Sequence, residues 1–255
     1  MNSRNFVSTL LFFSTFMLII SGCSFQKPAT DPLLDQKAIS LATQARTLNQ
    51  HVISSKGTGW AKFETKTKTE KFKIAWAAVA PDKIRITFLS SGHPVETILT
   101  TGEDITFFSH TGAHSKYSYS SKDPDMTDYI KVPVRMSEMI LLLLGRFPIR
   151  NFDTAVFSPA DASLSTIIIK KKWKGEKQFL HFRNDNKLDH LRSMDYEGNL
   201  LYEMRVLEYK SYEFGDLPAR IELKDINARK LFLDIINFQP NPIIKESVFR
   251  LTEAG

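Results

Sequence analysis

Between residues 58 and 238 the apolar side chains recur at every second position, in run after run, and only one long apolar stretch breaks the rhythm. Phe72, Ile74, Trp76 and Ala78 alternate with Lys71, Lys73, Ala75 and Ala77; Ile84, Ile86 and Phe88 alternate with Lys83, Arg85 and Thr87. A period of two is that of a strand with one face in a core and one in water. Turn residues at Pro81-Asp82, Gly92-His93-Pro94 and Thr101-Gly102-Glu103-Asp104 separate expected strands over 58–65, 69–79, 83–90, 95–101, 104–109 and 114–119. A second series is expected over 164–173, 176–183, 187–195, 200–212, 219–225 and 229–238. No helical crossover long enough to join parallel strands intervenes. The chain therefore reads as mainly β, a single highly curved antiparallel sheet, and a sheet of about a dozen strands must curl or close.

Two helices are expected beside the sheet. Asp31-Pro32 has the form of an N-cap followed by proline at the first helical position. Ala38, Leu41, Ala42, Ala45, Leu48 and Val52 then fall on one face of an amphipathic helix. Between the two strand series, Pro133 to Gly145 contains six consecutive apolar residues, Met139 to Leu144, and ends on a glycine with Pro148 beyond. Such a helix has hardly any polar face, so it must be covered on most sides.

The first 22 residues are of another kind. Arg4 is their only charged residue, Phe6 to Ile20 is an apolar run short for a bilayer span, and Ile20-Ser21-Gly22-Cys23 places the chain's only cysteine directly after it. The pattern resembles a bacterial lipoprotein signal. That resemblance implies cleavage before Cys23, a diacylglycerol on its thiol, and attachment to a lipid membrane. A soluble exported protein with one stray cysteine is the alternative, but no intramolecular disulfide can use a lone thiol, whereas acylation accounts for it. The expected organisation is a signal peptide over 1–22, an acylated tether over 23–32 and one domain over 33–255. The net charge of +6 fits contact with anionic lipid or an acidic partner, or a solvated surface alone; an exported lipoprotein does not meet nucleic acid.

The order of elements (lipobox, tether, amphipathic helix, meander, apolar helix ending in Leu-Gly, second meander) resembles the LolB-like outer-membrane lipoproteins and their soluble relatives, the LolA proteins. Locally the likeness rests on Pro81-Asp82-Lys83-Ile84-Arg85-Ile86 and on Met139 to Pro148. It implies an unclosed β-barrel whose helices cover an apolar cavity. It also implies acyl chains of lipoproteins or lipids as cargo, a LolA-like periplasmic donor, and a place on the periplasmic side of the outer membrane. In that family a protruding loop carries a large apolar residue at its tip. The matching segment here, Leu89-Ser90-Ser91-Gly92-His93-Pro94-Val95, has a polar tip with Leu89 and Val95 at its shoulders.

Taken alone, Phe63, Phe72, Ile74, Trp76, Ile84, Ile86, Phe88, Ile98, Phe107, Ile140 and Leu144 are ordinary core positions. The resemblance makes them the lining of a ligand cavity. His110 and His114 flank a turn and lack the further ligands of a zinc set, and Asp123, Asp125 and Asp128 lack the glycine and final glutamate of a calcium loop. Lys62, Lys66, Lys68, Lys71 and Lys73, and Lys170-Lys171-Lys172 before Trp173, are read as solvated faces or as contacts to headgroups. No nucleophile elbow, phosphate-cradling loop or His-Glu-x-x-His pair occurs, so neither an enzyme nor a cofactor is expected. Two other readings stand beside the acyl carrier. One is a structural adaptor of the envelope with a filled core, the other a carrier of another lipid or a glycolipid.

Overall fold

The computed structural model describes residues 31–173 and 175–251; Cys23, the signal segment and nearly all of the tether lie outside them. Thirteen strands form one antiparallel sheet in the order β6-β5-β4-β3-β2-β1-β13-β12-β11-β10-β9-β8-β7. They are β1 (Ser54–Glu64), β2 (Thr69–Val79), β3 (Lys83–Ser90), β4 (His93–Thr100), β5 (Asp104–Ser109), β6 (Tyr117–Ser120), β7 (Thr154–Phe157), β8 (Thr166–Lys170), β9 (Lys177–Phe182), β10 (Leu188–Met194), β11 (Leu200–Tyr212), β12 (Gly215–Asp225) and β13 (Lys230–Pro240). The first and last strands pair in the middle of the sheet, Phe63 opposite Leu231 and Trp60 opposite Asp234. The two edges, β6 and β7, are consecutive in the chain and are not paired with each other, so the barrel is unclosed.

The expected meanders match these strands closely, and β2, β3, β5 and β11 fall on the expected residues. Three features differ. β7 has four residues, too few for an alternation to show. A one-turn helix, α2 (Thr127–Ile130), and a short 3-10 turn, Glu246–Phe249, are likewise shorter than a helical period can reveal. The segment 89–95 is not a protruding loop, because Leu89 faces Pro94 and Ser90 faces His93, leaving Ser91-Gly92 as a two-residue hairpin turn. Both turn residues have positive φ (49° and 85°), the conformation that matches the strand twist.

Helix α1 (Pro32–Thr47) starts as expected, with Asp31 Oδ1 accepting the Leu33 N–H at 2.9 Å. Ala38, Ala42 and Ala45 bury its face against β7 and β8. The helix stops before Val52 because Asn49 turns to φ 53° and aims its amide inward, donating to the Gly145 carbonyl at 2.7 Å and the Asp216 carbonyl at 2.9 Å. Among the described residues no helix is long and apolar enough to cross a membrane.

The segment joining the two edges carries α2 and α3 (Met136–Leu143) across the concave face. In α3 the side chains of Met136, Met139, Ile140, Leu142 and Leu143 are all buried. Its C-terminus closes with the Gly145 N–H on the Leu142 carbonyl (3.0 Å) and the Arg146 N–H on the Leu141 carbonyl (2.9 Å), the 5→2 and 6→1 pair of a Schellman motif. That closure needs Gly145 at φ 71°, and a Cβ there would lie 2.5 Å from Leu217 Cδ1. Gly145→Ala should therefore lower unfolding free energy by about 1–3 kcal/mol, measured by urea denaturation. An unchanged midpoint would contradict this account of the helix end.

Candidate functional site

Strands β1 to β6 bring their open ends together at one rim of the half-barrel, the one holding the β1–β2, β3–β4 and β5–β6 turns. A cleft of about 430 Å³ opens there, within the roughly 300–1,000 Å³ typical of small-molecule sites. Its floor is aromatic and aliphatic, made by Phe63, Phe72, Phe88, Val95, Ile98 and Phe107. Phe63, Phe72 and Phe88 meet at ring-centroid distances of 6.0–6.4 Å, the tilted and edge-on spacing that aromatic quadrupoles favour. One wall comes from α2, where the Tyr129 ring stacks on Phe107 at 3.8 Å. Tyr117 stacks on Phe107 at 5.0 Å.

A polar collar surrounds this floor, formed by Glu70, Glu96, His114, Asp128 and Lys131. His114 Nε2 lies 3.0 Å from the Glu96 carboxylate. The Ser115 carbonyl above all, and then Glu96, raise the His114 pKa above its ordinary value. An apolar floor under a ring of both signs suits a ligand with a hydrocarbon body and a polar head.

Beneath the cleft, a second void of only about 20 Å³ is lined wholly by apolar residues, among them Ile74, Ile86, Ile130, Met139 and Leu143. It holds at most about one water. Phe63 and Phe88 line both spaces, so their rings are the partition between the open cleft and the interior under α3.

The helix above that interior is fastened by polar bonds at both ends. At its start, Glu138 is buried (6% exposed) and accepts the Arg135 N–H at 2.9 Å and the Tyr202 hydroxyl at 3.0 Å, with Arg150 3.6 Å away. Asp123 accepts the Ser137 N–H at 2.9 Å and its hydroxyl at 3.0 Å. At its end, the Ser55 hydroxyl donates to the Leu143 carbonyl at 2.7 Å, and the Arg146 guanidinium donates to the carbonyls of Asn49, Gln50 and Val52.

The residues singled out as cavity lining thus divide. Phe63, Phe72, Phe88, Ile98 and Phe107 share the rim cleft, while Ile74 and Ile86 face the small void. Ile84, Ile140 and Leu144 are packed into the core with no more than 2% exposure. Trp76 lies toward the opposite end of the half-barrel, its indole fitted against Gly57, where a Cβ would come within 2.2 Å, and its N–H donating to Ser55 Oγ at 3.1 Å. Of the acids in the 123–128 loop, Asp123 holds α3, Asp125 accepts the Thr127 N–H at 2.7 Å, and Asp128 reaches the collar. Lys62 and Lys71 lie over the Phe232 and Trp60 rings at 4.1 and 4.5 Å on the other face of the sheet. Glu70, Tyr117, Tyr129 and Lys131 were not legible as site residues. Only Glu70 left a trace in the sequence, a carboxylate at an inward position of the β2 alternation.

No sequence family matches the chain, and no curated protein does. Solved structures resemble its fold, three of them over most of both chains. A LolA superfamily protein from Nitrosomonas europaea superposes with a TM-score of 0.58 at 11% identity, over 84% of this chain and 97% of the other. A DUF1329 family protein from Desulfovibrio piger gives 0.61 at 9% identity, over 85% and 97%. A putative outer membrane lipoprotein-sorting protein domain from Vibrio parahaemolyticus gives 0.58 at 11% identity, over 84% and 97%. The half-barrel is therefore a LolA-like fold, as the order of elements implied.

Burial dominates at Glu138 and raises its pKa, against the opposing pull of the Arg135 N–H, Arg150 and Tyr202. The folded state thus holds the proton more tightly than the unfolded chain. Its contribution is fully present below the ordinary carboxylate pKa and is lost as pH rises through the raised folded value. Urea midpoints of the wild type relative to Glu138→Gln, which cannot titrate, should fall as pH rises through that window. A difference independent of pH would contradict the burial of an ionisable anchor.

Proposed function

We propose that this chain is a non-enzymatic, outer-membrane lipoprotein of LolB type, anchored through acylated Cys23 and facing the periplasm. Its role is to bind the acyl chain of a lipoprotein or lipid at the rim of the half-barrel and to take part in moving that cargo to the outer membrane. The observation that carries this reading is the roughly 430 Å³ cleft floored by Phe63, Phe72, Phe88, Ile98 and Phe107 and ringed by charged groups. Each methylene placed on that floor gains about 0.8 kcal/mol, and the collar keeps the polar head of the cargo in water.

The interior offers a second stage. Phe63 and Phe88 line both the cleft and the small void below α3, and because that void holds no more than about one water, a longer tail gains further burial only if α3 shifts together with the two rings. Binding of this kind needs no covalent step, and delivery needs only a receiving site of higher affinity, which a LolA-like donor upstream and the membrane downstream would supply. The dense packing beneath α3 and the bonds that fasten both its ends favour a second reading, an envelope adaptor whose barrel is permanently filled.

Uptake of a fluorescent fatty-acyl probe by the full-length protein separates the two. The wild type should bind the probe saturably, and Phe72→Lys, a half-buried floor position, should weaken binding at least about tenfold while leaving far-UV circular dichroism unchanged. Absence of saturable uptake by the wild type would leave the adaptor.

A further inference from the structure

The same rim carries a row of exposed apolar side chains that the cleft does not use. Trp173 sits in the β8–β9 turn with positive φ and is 92% exposed. Tyr196, in the β10–β11 turn, is 73% exposed, and Ile226, in the β12–β13 turn, is 70% exposed. Strands β8 to β13 are adjacent in the sheet and antiparallel, and β13 pairs with β1 so that Lys230 faces Glu64. The three turns therefore stand side by side at the end of the half-barrel where the β1–β2 turn and the cleft also lie. The first two touch closely, since a Cβ on Gly175 would be 3.2 Å from Tyr196 Cβ.

Charge at this corner is predominantly positive. Lys170, Lys172 and Lys177 are exposed, and Lys171 is half-buried. The Lys172 ammonium lies 5.6 Å from the Trp173 ring. Lys171, Lys177 and Arg150 line a cleft of about 270 Å³ beside the hairpin. Three carboxylates share the corner: Glu176, half-buried, is paired with Arg150 at 2.8 Å, exposed Asp153 accepts the Lys172 N–H at 2.7 Å, and Glu197 is exposed on the neighbouring turn.

We propose that this rim is a membrane-docking face, with Trp173 entering the headgroup layer of an anionic bilayer and Lys170, Lys171, Lys172 and Lys177 meeting its phosphates. An indole with an apolar body and one N–H donor partitions to that layer. Each lysine near an anionic surface adds attraction that falls off within a Debye length. The apolar side chains stand on separate projecting turns rather than in a groove, a shape suited to a soft surface that closes around each tip. The inference stands on these turns and not on what the cleft holds. If both are right, the cleft mouth is held against lipid.

The test uses full-length acylated protein in vesicles containing a lipid brominated on its acyl chains, with Trp173→Phe as the subtraction for Trp60 and Trp76. In phosphatidylglycerol-containing vesicles the Trp173 share of emission should be blue-shifted and quenched. Lys171→Glu with Lys172→Glu should lose most of that quenching, since each lysine removed weakens contact roughly fivefold. An emission from Trp173 that stays that of a water-exposed indole, while the anchor keeps the protein on the vesicle, would overturn the proposal. Equal quenching in purely zwitterionic vesicles would overturn the role of the lysines. Acyl-probe uptake measured on the Trp173→Phe protein stays at the wild-type level if cleft and docking face are separate, so failure of one leaves the other standing.

Discussion

A curved sheet whose two end strands do not pair leaves its concave face to be covered by something other than itself, and nearly everything else follows from that constraint. The edges β6 and β7 are successive in the chain, so the segment between them is the one connection that must pass from one edge to the other. It passes over the concave face and carries α3, a helix too apolar to lie in water. Sheet and helix thus satisfy each other's unburied surface. The polar bonds at the helix ends, Glu138 with Tyr202 at one and Arg146 with three carbonyls at the other, fix where along the sheet that cover sits.

The cover is shorter than the sheet. Eight residues of α-helix extend about 12 Å, whereas the eleven residues of β1 or β2 extend about 35 Å. What α3 leaves uncovered at the rim is floored by the ends of β1 to β5 and only partly closed by α2. The rim cleft is therefore a consequence of the length mismatch, and the filled region under α3 is the other side of the same geometry. An apolar floor remains open where the helix stops, and Phe63 and Phe88 stand at the border.

Strands were legible because charged residues mark their outer faces. Lys71 and Lys73 against Phe72 and Ile74 leave no doubt about period or facing. α3 was legible from its unbroken apolar run and terminal glycine. The pairing of β1 with β13 was not, since two meanders read from the sequence say nothing of which strand ends meet across the gap. The cleft was half legible: Phe63, Phe72 and Phe88 lie on regular strands, but Tyr129 and Lys131 come from a one-turn helix and its left-handed end, with no periodicity to announce them. His114 was visible as a residue and not as a role, because it sits in the β5–β6 turn and its partner Glu96 lies on β4. Trp173 was conspicuous in the sequence for its lysines, yet only the antiparallel register aligns it with Tyr196 and Ile226 on the rim where the cleft opens.

The proposed acyl site runs along the apolar floor at the rim as far as the two phenylalanine rings that part it from the packed interior under α3. Nuclear Overhauser contacts between a ¹³C-methyl-labelled fatty acid and the protein test it directly. Contacts from the terminal methyl to the rings of Phe63 and Phe88, with the carboxylate near His114 and Lys131, are expected. Contacts confined to the outer surface, or none at saturating ligand, would contradict it.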